Sequence, residues 1–356
     1  TDWVQIYHHV VVDGWSGQLL AHNVSHRYTA LINQENNILE IGSVLDTYGA
    51  HIAGAIAYQD SDDAELSRSW WLSHLSEVQP AARFEMRGCG EGESIAPFVR
   101  SSLRLDGAQA DAVAALARQH GASLGHVVTA AIALWEAQHS GQSEVILGLP
   151  VLGRLGSASR KIVSMSSNVC HLRLCDIWSH NVSSLLQEIK SQQRRVLRHQ
   201  RYRYEDLRRE LTGGARDATL ARVHVNVMSF EYEIFFGTYR GETYNLSNGP
   251  VNGLSIAVYP QPDGSLELDI DGAPEAFTTD DLQRVGKTLE HLLGELCAAS
   301  PETALSELAL TPQEDLTRIA DFNATGRAVP EGVLPDLLSD MAETRGDAAA
   351  VVFGDE

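Results

Sequence analysis

No apolar run in this chain is long enough to cross a bilayer, so no membrane-spanning helix is expected. The first residue is Thr1, with neither an initiator methionine nor a signal-peptide pattern before the first elements. Cysteine is scarce: Cys89, Cys170, Cys175 and Cys297 are the four, and no two form a Cys-x-x-Cys pair. Structural thiols in a reducing, cytoplasmic compartment are therefore expected. Cys170 and Cys175 differ by an odd number along an expected strand, which sends them to opposite faces. Positive charge is also short. Lys and Arg number 27 against 47 Asp and Glu, and the net charge of −20 argues against a nucleic-acid partner. No internal repeat and no low-complexity tract interrupts the chain.

What is present is a globular composition, 44% hydrophobic over 356 residues, enough for two lobes or domains. One basic stretch stands out against the acidic background: Lys190, Arg194, Arg195, Arg198, Arg201, Arg203 and Arg209. It reads as a solvated helix face, or as a docking surface for an acidic partner. Both ends of the chain read as cut from something longer, since an apolar run over 348–353 stops just before Glu356.

Residues 3–12, rich in Val, Ile and Tyr, are expected as a strand, and 16–32 as a helix striped with Leu20, Val24, Tyr28 and Leu31. A helix over 62–78 carries Trp70 and Trp71, and the glycine-rich stretch 87–97 reads as a linker. A second rhythm begins at Phe98. Strands are expected over 99–105, 145–152, 168–174, 223–232, 254–259 and 266–270. Helices are expected over 107–120, 124–139, 182–197 and 279–298, the first capped by Asp106 and stopped by Gly121. The sum is a mixed α/β protein of two lobes, followed by a proline-punctuated linker over 301–331.

The chemistry concentrates at Tyr7-His8-His9-Val10-Val11-Val12-Asp13-Gly14-Trp15-Ser16. On a strand, His8 shares a face with Val4, Ile6, Val10 and Val12, whereas His9 shares one with Gln5 and Tyr7. Alternation thus makes His8 the buried structural histidine and His9 the one facing a polar channel. A histidine suits proton transfer near neutrality. Asp13 stands where it can pair with a cation and hold the turn. Gly14 allows close approach of a ligand and offers its N–H to a developing oxyanion. Ser16 is a natural N-cap. A satisfied histidine pair at a strand end is the bland alternative; a metal site is not expected, because adjacent strand histidines diverge.

This segment resembles the His-His-x-x-x-Asp-Gly motif of nonribosomal peptide synthetase condensation domains, in the chloramphenicol-acetyltransferase-like superfamily. Further segments match in family order: Val151-Leu152-Gly153-Arg154, the stretch 163–174 with Asn168, and His199-Gln200-Arg201-Tyr202-Arg203-Tyr204-Glu205-Asp206. Departures are Arg203 where the family has proline, and Ser164 to Ser167 in place of a glycine-rich approach to Asn168. The family's Arg-His-Glu-x-Leu-Arg segment is absent and is expected to lie before Thr1. Residues 3–9, 154–158, 198–202, 226–232 and 249–252 resemble the starter-type subfamily, enterobactin synthetase among its members, which takes fatty or aryl acyl donors.

The resemblance implies a two-lobe chloramphenicol-acetyltransferase-like fold with an incomplete N-terminal lobe over 1–86, a C-terminal lobe over 98–300, and the start of an adenylation domain over 332–356. It implies an amide-forming acyltransferase that binds no cofactor directly and works on phosphopantetheine arms of donor and acceptor carrier proteins. His9 and Gly14 would be catalytic; His8, Asp13 and its partner Arg154 structural; Ser16, Asn168 and Asn226 candidates for lining the substrate channel. The rival readings are a coenzyme A-dependent acyltransferase, an epimerisation domain, and a non-catalytic scaffold that docks carrier proteins.

Overall fold

Strand-forming residues between Val99 and Gly272 alternate Leu, Ile and Val with polar groups, and they assemble into one six-stranded mixed sheet. A computed structural model describes residues 2–35, 48–78, 84, 98–156, 159–213, 219–228, 234–247, 249–328 and 332–354. Its helices are α1 (Gly14–Ile32), α2 (Tyr48–Gln59), α3 (Asp62–His74), α4 (Gly107–Gln119), α5 (Leu124–Ser140), α6 (Val182–Arg198), α7 (Tyr204–Leu211), α8 (Thr279–Ala298), α9 (Gln313–Asn323) and α10 (Leu334–Thr344). Its strands are β1 (Val99–Leu105), β2 (Val145–Val151), β3 (Asn168–Leu174), β4 (Val223–Val227), β5 (Ile234–Phe236), β6 (Tyr239–Gly241), β7 (Leu254–Pro260) and β8 (Leu266–Gly272). Among the described residues no helix is long and apolar enough to cross a membrane.

The sheet runs β1-β8-β7-β4-β2-β3. Its outer pairs are antiparallel, while β4 lies parallel to both β2 and β7. Helix α5 is buried all round from Val127 to Ala137, among α4, α6, α8 and the sheet, and is apolar there except for Thr129 and for Glu136, which pairs with Arg222. Capping boxes built on Asp106, Ser123, Asn181 and Thr278 fix where α4, α5, α6 and α8 begin. A smaller core joins Trp71 and Leu75 to Cys170, Val196, Leu207 and Leu220, docking α3 on β3, α6 and α7.

Two compact units emerge, Thr1–Leu310 and Thr311–Glu356. The expected linker over 301–331 is therefore not uniform. Residues 301–310 belong to the first unit: Ala304 bridges to Asn181, Leu305 is buried, and the Ala309 amide donates to Glu295. Residues 313–323 form α9. In the second unit the apolar run over 348–353 forms no strand, and Val351 to Phe353 are exposed. The expected linker over 87–97 and Cys89 lie outside the described residues.

The expected strand over 3–12 is also absent: the segment is irregular and ends in a turn in which the Val11 amide donates to the His8 carbonyl. None of the described strands pairs with it, and a strand without a ladder leaves its backbone groups unpaired. Trp3 touches the edge of the Phe236 ring at 6.0 Å, and Phe236 also meets Tyr28 of α1 at 5.5 Å. The β5–β6 hairpin is tied to α1 through Thr29, which donates to the Phe235 carbonyl and accepts from the Gly237 amide.

Candidate active site

Helix α1 starts at Gly14 because Asp13 caps it, Oδ1 accepting from the Ser16 amide at 2.9 Å. Ser16 is thus not the N-cap expected from its position. With the cap taken by Asp13, the Ser16 hydroxyl is free to turn inward. It donates to the Ser164 carbonyl at 2.8 Å and accepts from the Ser164 amide and from Arg154.

Asp13 and Arg154 meet in the interior. Arg154 Nη2 lies 3.0 and 2.9 Å from the two carboxylate oxygens, and both side chains are within 2% of full burial. Oδ2 also accepts from the Ser166 and Ser167 amides at 2.9 and 3.1 Å. Arg154 Nη1 donates to the carbonyls of Ser159 and Ile162 at 2.7 and 2.6 Å. Burial pushes the Asp13 carboxyl up, but the Ser16 and Ser166 amides and the Arg154 guanidinium outweigh it and hold the pKa below its usual value.

Gly153 makes this approach possible. Its φ is +61°, and a Cβ there would stand 2.1 Å from the Ser166 carbonyl oxygen. The Gly-Arg pair is therefore one device: glycine lets the 164–167 loop close over the strand end, and arginine reaches through to Asp13. Asn168 continues the clasp. Its amide nitrogen donates to the carbonyls of Gln200 and Tyr202 at 2.8 and 2.6 Å, and its oxygen accepts from the Tyr204 amide at 3.0 Å. Arg203, standing where the family pattern has proline, donates to the Ser167 carbonyl at 3.0 Å.

The motif histidines differ from the alternation reading. His8 is exposed, not buried, and its Nδ1 accepts from the Val10 amide at 3.1 Å. The reason is the missing ladder: outside a sheet, alternate side chains have no apolar face to be buried against. His9 is exposed as well. Gly14 is exposed, and a Cβ built on it would meet nothing within 4 Å. Ser16 and Asn168 are buried within the hydrogen-bond network just described. Asn226 is half-buried on β4 opposite Ala257, with no hydrogen bond to its amide among the described residues.

His51 of α2 escaped sequence reasoning, which assigned no element to 48–59. Burial, with Arg154 and Arg203 nearby, lowers its pKa. Among the described residues no group of His, Cys, Asp and Glu could hold a metal ion.

A family model for the condensation domain matches residues 2–319. The chain belongs to the condensation domain family. This condensation domain is 31% identical over 99% of its length to a dimodular nonribosomal peptide synthase of Bacillus subtilis (strain 168), and 32% identical over 98% to an isonitrile lipopeptide synthase of Streptomyces coeruleorubidus. It spans 15% and 23% of those relatives' own lengths. Among solved structures it resembles the first condensation domain of the calcium-dependent antibiotic synthetase in complex with a substrate analogue, at TM-score 0.75 and 28% identity, covering 86% of this chain and 66% of that one. It also resembles a mutant of the starter condensation domain of rhizomide synthetase in complex with C8-CoA, at TM-score 0.73 and 30% identity, covering 85% and 68%. The chloramphenicol-acetyltransferase-like fold inferred from the motifs is the fold of these neighbours.

Proposed function

We propose that this condensation domain joins a carrier-bound acyl thioester to the amine of a carrier-bound aminoacyl group, releasing the donor thiol. The observation that carries the reading is the buried Asp13–Arg154 pair. It pins the start of α1 and leaves His9 and the Gly14 amide on the solvent side of a rigid turn. The amine nitrogen attacks the thioester carbon and forms the C–N bond. His9 takes or orients the amine proton. The Gly14 N–H, at the positive end of α1, stabilises the tetrahedral oxyanion. Collapse then breaks the C–S bond, and the thiolate leaves with a proton. His8 has its Nδ1 occupied by the Val10 amide, so it shapes the turn.

The donor in this reading is a fatty or aryl acyl group. Its support is the starter-type sequence pattern, the lipopeptide synthase relative and the neighbour's complex with C8-CoA. Donor and acceptor carriers act in the cytoplasm, and residues 332–356 open an adenylation domain. The test is product formation from an octanoyl-loaded donor carrier, an aminoacyl-loaded donor carrier and one aminoacyl acceptor. Octanoyl amide should dominate, and His9→Ala should reduce it by two orders of magnitude or more, within the ~10²–10⁴-fold range of general acid–base groups. Because His9 is exposed, its melting temperature should hold. Wild-type turnover in His9→Ala removes the proposed base; exclusive use of aminoacyl donors removes the starter assignment.

A further inference from the structure

Two departures from the family pattern lie far apart in sequence and meet in the fold: Arg203 in place of proline, and the serine-rich loop 164–167. Arg203 Nη1 donates to the Ser167 carbonyl at 3.0 Å, across 36 residues of chain. No other group donates to that carbonyl among the described residues. The guanidinium is steadied from its other edge, where Nε lies 3.4 Å from a Glu205 carboxylate oxygen. The backbone at this position would suit proline. Its φ is −71°, and the Arg203 N–H makes no hydrogen bond among the described residues. The path of the turn therefore does not require arginine. What arginine supplies beyond proline is the guanidinium and its grip on Ser167.

The loop that Arg203 reaches is the one that holds Asp13. Ser166 and Ser167 donate their amides to Oδ2 at 2.9 and 3.1 Å. The leading end of the loop is fastened without Arg203: Ser164 exchanges hydrogen bonds with Ser16, and its carbonyl accepts from Arg154. The serine hydroxyls do not fasten the trailing end. Those of Ser164 and Ser166 bond each other, and that of Ser167 turns to the Met165 sulfur. Ser167 is instead gripped on both sides, its amide by Asp13 and its carbonyl by Arg203. The grip is reciprocal, because Asn168 reaches back to two carbonyls and one amide of the 200–204 segment. Asp13 in turn caps the helix that starts at Gly14.

We propose that Arg203 is a positioning residue for the condensation reaction: it holds the Ser166 and Ser167 amides on Asp13, and through Asp13 it keeps the Gly14 N–H and the His9 turn in their reactive arrangement. That these groups react rests on the function proposed above. Arg203 acts on the frame of the motif, so its effect belongs in kcat. A displacement of reacting groups by about 1 Å can cost up to ~10²-fold in rate.

The test compares the full chain with Arg203→Pro, Arg203→Ala and Arg203→Lys. Hydrogen exchange read by mass spectrometry over 162–168 reports the loop amides. Amide formation from an octanoyl-loaded donor carrier and an aminoacyl-loaded acceptor carrier reports the reaction. In the proline and alanine variants the loop amides should exchange about tenfold faster or more. Their kcat should fall about tenfold, while KM for both carriers stays within about twofold of wild type. Arg203→Lys keeps a donor of similar reach and should restore slow exchange and turnover together. The proline variant should melt like wild type, because its ring fits the φ already present. Should it melt early, the alanine variant reads the same loss without the ring. Wild-type exchange in both the proline and alanine variants overturns the proposal, as does faster exchange with wild-type kcat, or a loss of kcat that lysine does not rescue. Arginine-dependent exchange in a chain whose wild type forms no amide from any donor keeps the grip on Ser167 and removes the proposed activity.

Discussion

At the scale of single residues, the Asp13–Arg154 pair dominates. Two opposite charges removed from water are stable only with close geometry and further hydrogen bonds, and here two loop amides and the α1 cap supply them. Asp13→Ala should cost about 3–5 kcal/mol, because Arg154 then stays buried without its counter-charge. Denaturant melts check this, and a loss below about 1 kcal/mol would contradict it. The Asp13 pKa is lowered in the fold, so this carboxylate's contribution is complete at neutral pH. It fades as pH falls below the ordinary carboxylate value and through the lower folded one. Gly153→Ala tests the glycine beside it. A positive φ and a carbonyl oxygen 2.1 Å from the new Cβ should destabilise the chain by more than about 1 kcal/mol. An unchanged melting midpoint would show that the 164–167 loop can move aside.

At the scale of elements, the docking of α3 on the sheet carries a pH signature. The Trp70 ring stacks on His74 at 4.5 Å and on His199 at 4.4 Å, and Trp71 donates to the His199 carbonyl at 3.0 Å. His171 on β3 and His224 on β4 flank Gly148, where a Cβ would stand 2.2 Å from the His224 ring. Burial lowers the pKa of His74 to about 4, of His171 to about 3 and of His224 to about 4. These rings stay neutral in the fold while the unfolded chain takes up protons below pH ~6.5. Their contribution is therefore complete above pH ~6.5 and is lost as pH falls from there toward the folded values. The slope is at most ~1.4 kcal/mol per pH unit for each fully buried ring, and smaller for the partly exposed His74. Urea melts at pH 7 and pH 5 should show the decline, and His171→Phe should flatten it. Equal midpoints at both pH values in the wild type would refute the assignment.

At the scale of the whole molecule, exposed apolar side chains gather in the segment from Trp3 to Ile32. Trp3, Val4, Ile6, Val10, Val11, Val24, Tyr28, Leu31 and Ile32 are all exposed. Exposed apolar residues this close in sequence favour self-association. The 356-residue chain should scatter light and bind a hydrophobic dye at micromolar concentration, and Val24→Glu/Leu31→Glu should suppress both. A monodisperse wild-type monomer that ignores the dye would contradict this.

Much of the fold between residues 14 and 298 was legible in the sequence, whereas the strand expected over 3–12 did not form. Helices α1, α4, α5, α6 and α8 and strands β1, β3, β7 and β8 carry strong periodicity and capping residues, which are local properties. The Asp13–Arg154 pair was reachable only through family order, because 141 residues separate the two and nothing local joins them. The sequence alone determined the motif, its order with Gly153-Arg154 and Asn168, the acidic charge, and the basic run on α6. Tertiary structure decided what burial and pairing require. It made Asp13 rather than Ser16 the cap, turned Ser16 inward, put Asn168 to holding the 199–204 turn, and left His8 exposed. Capping, periodicity and charge are written within a few residues of one another. A strand needs a partner, and a buried charge needs its counter-ion, and both lie wherever the folded chain brings them.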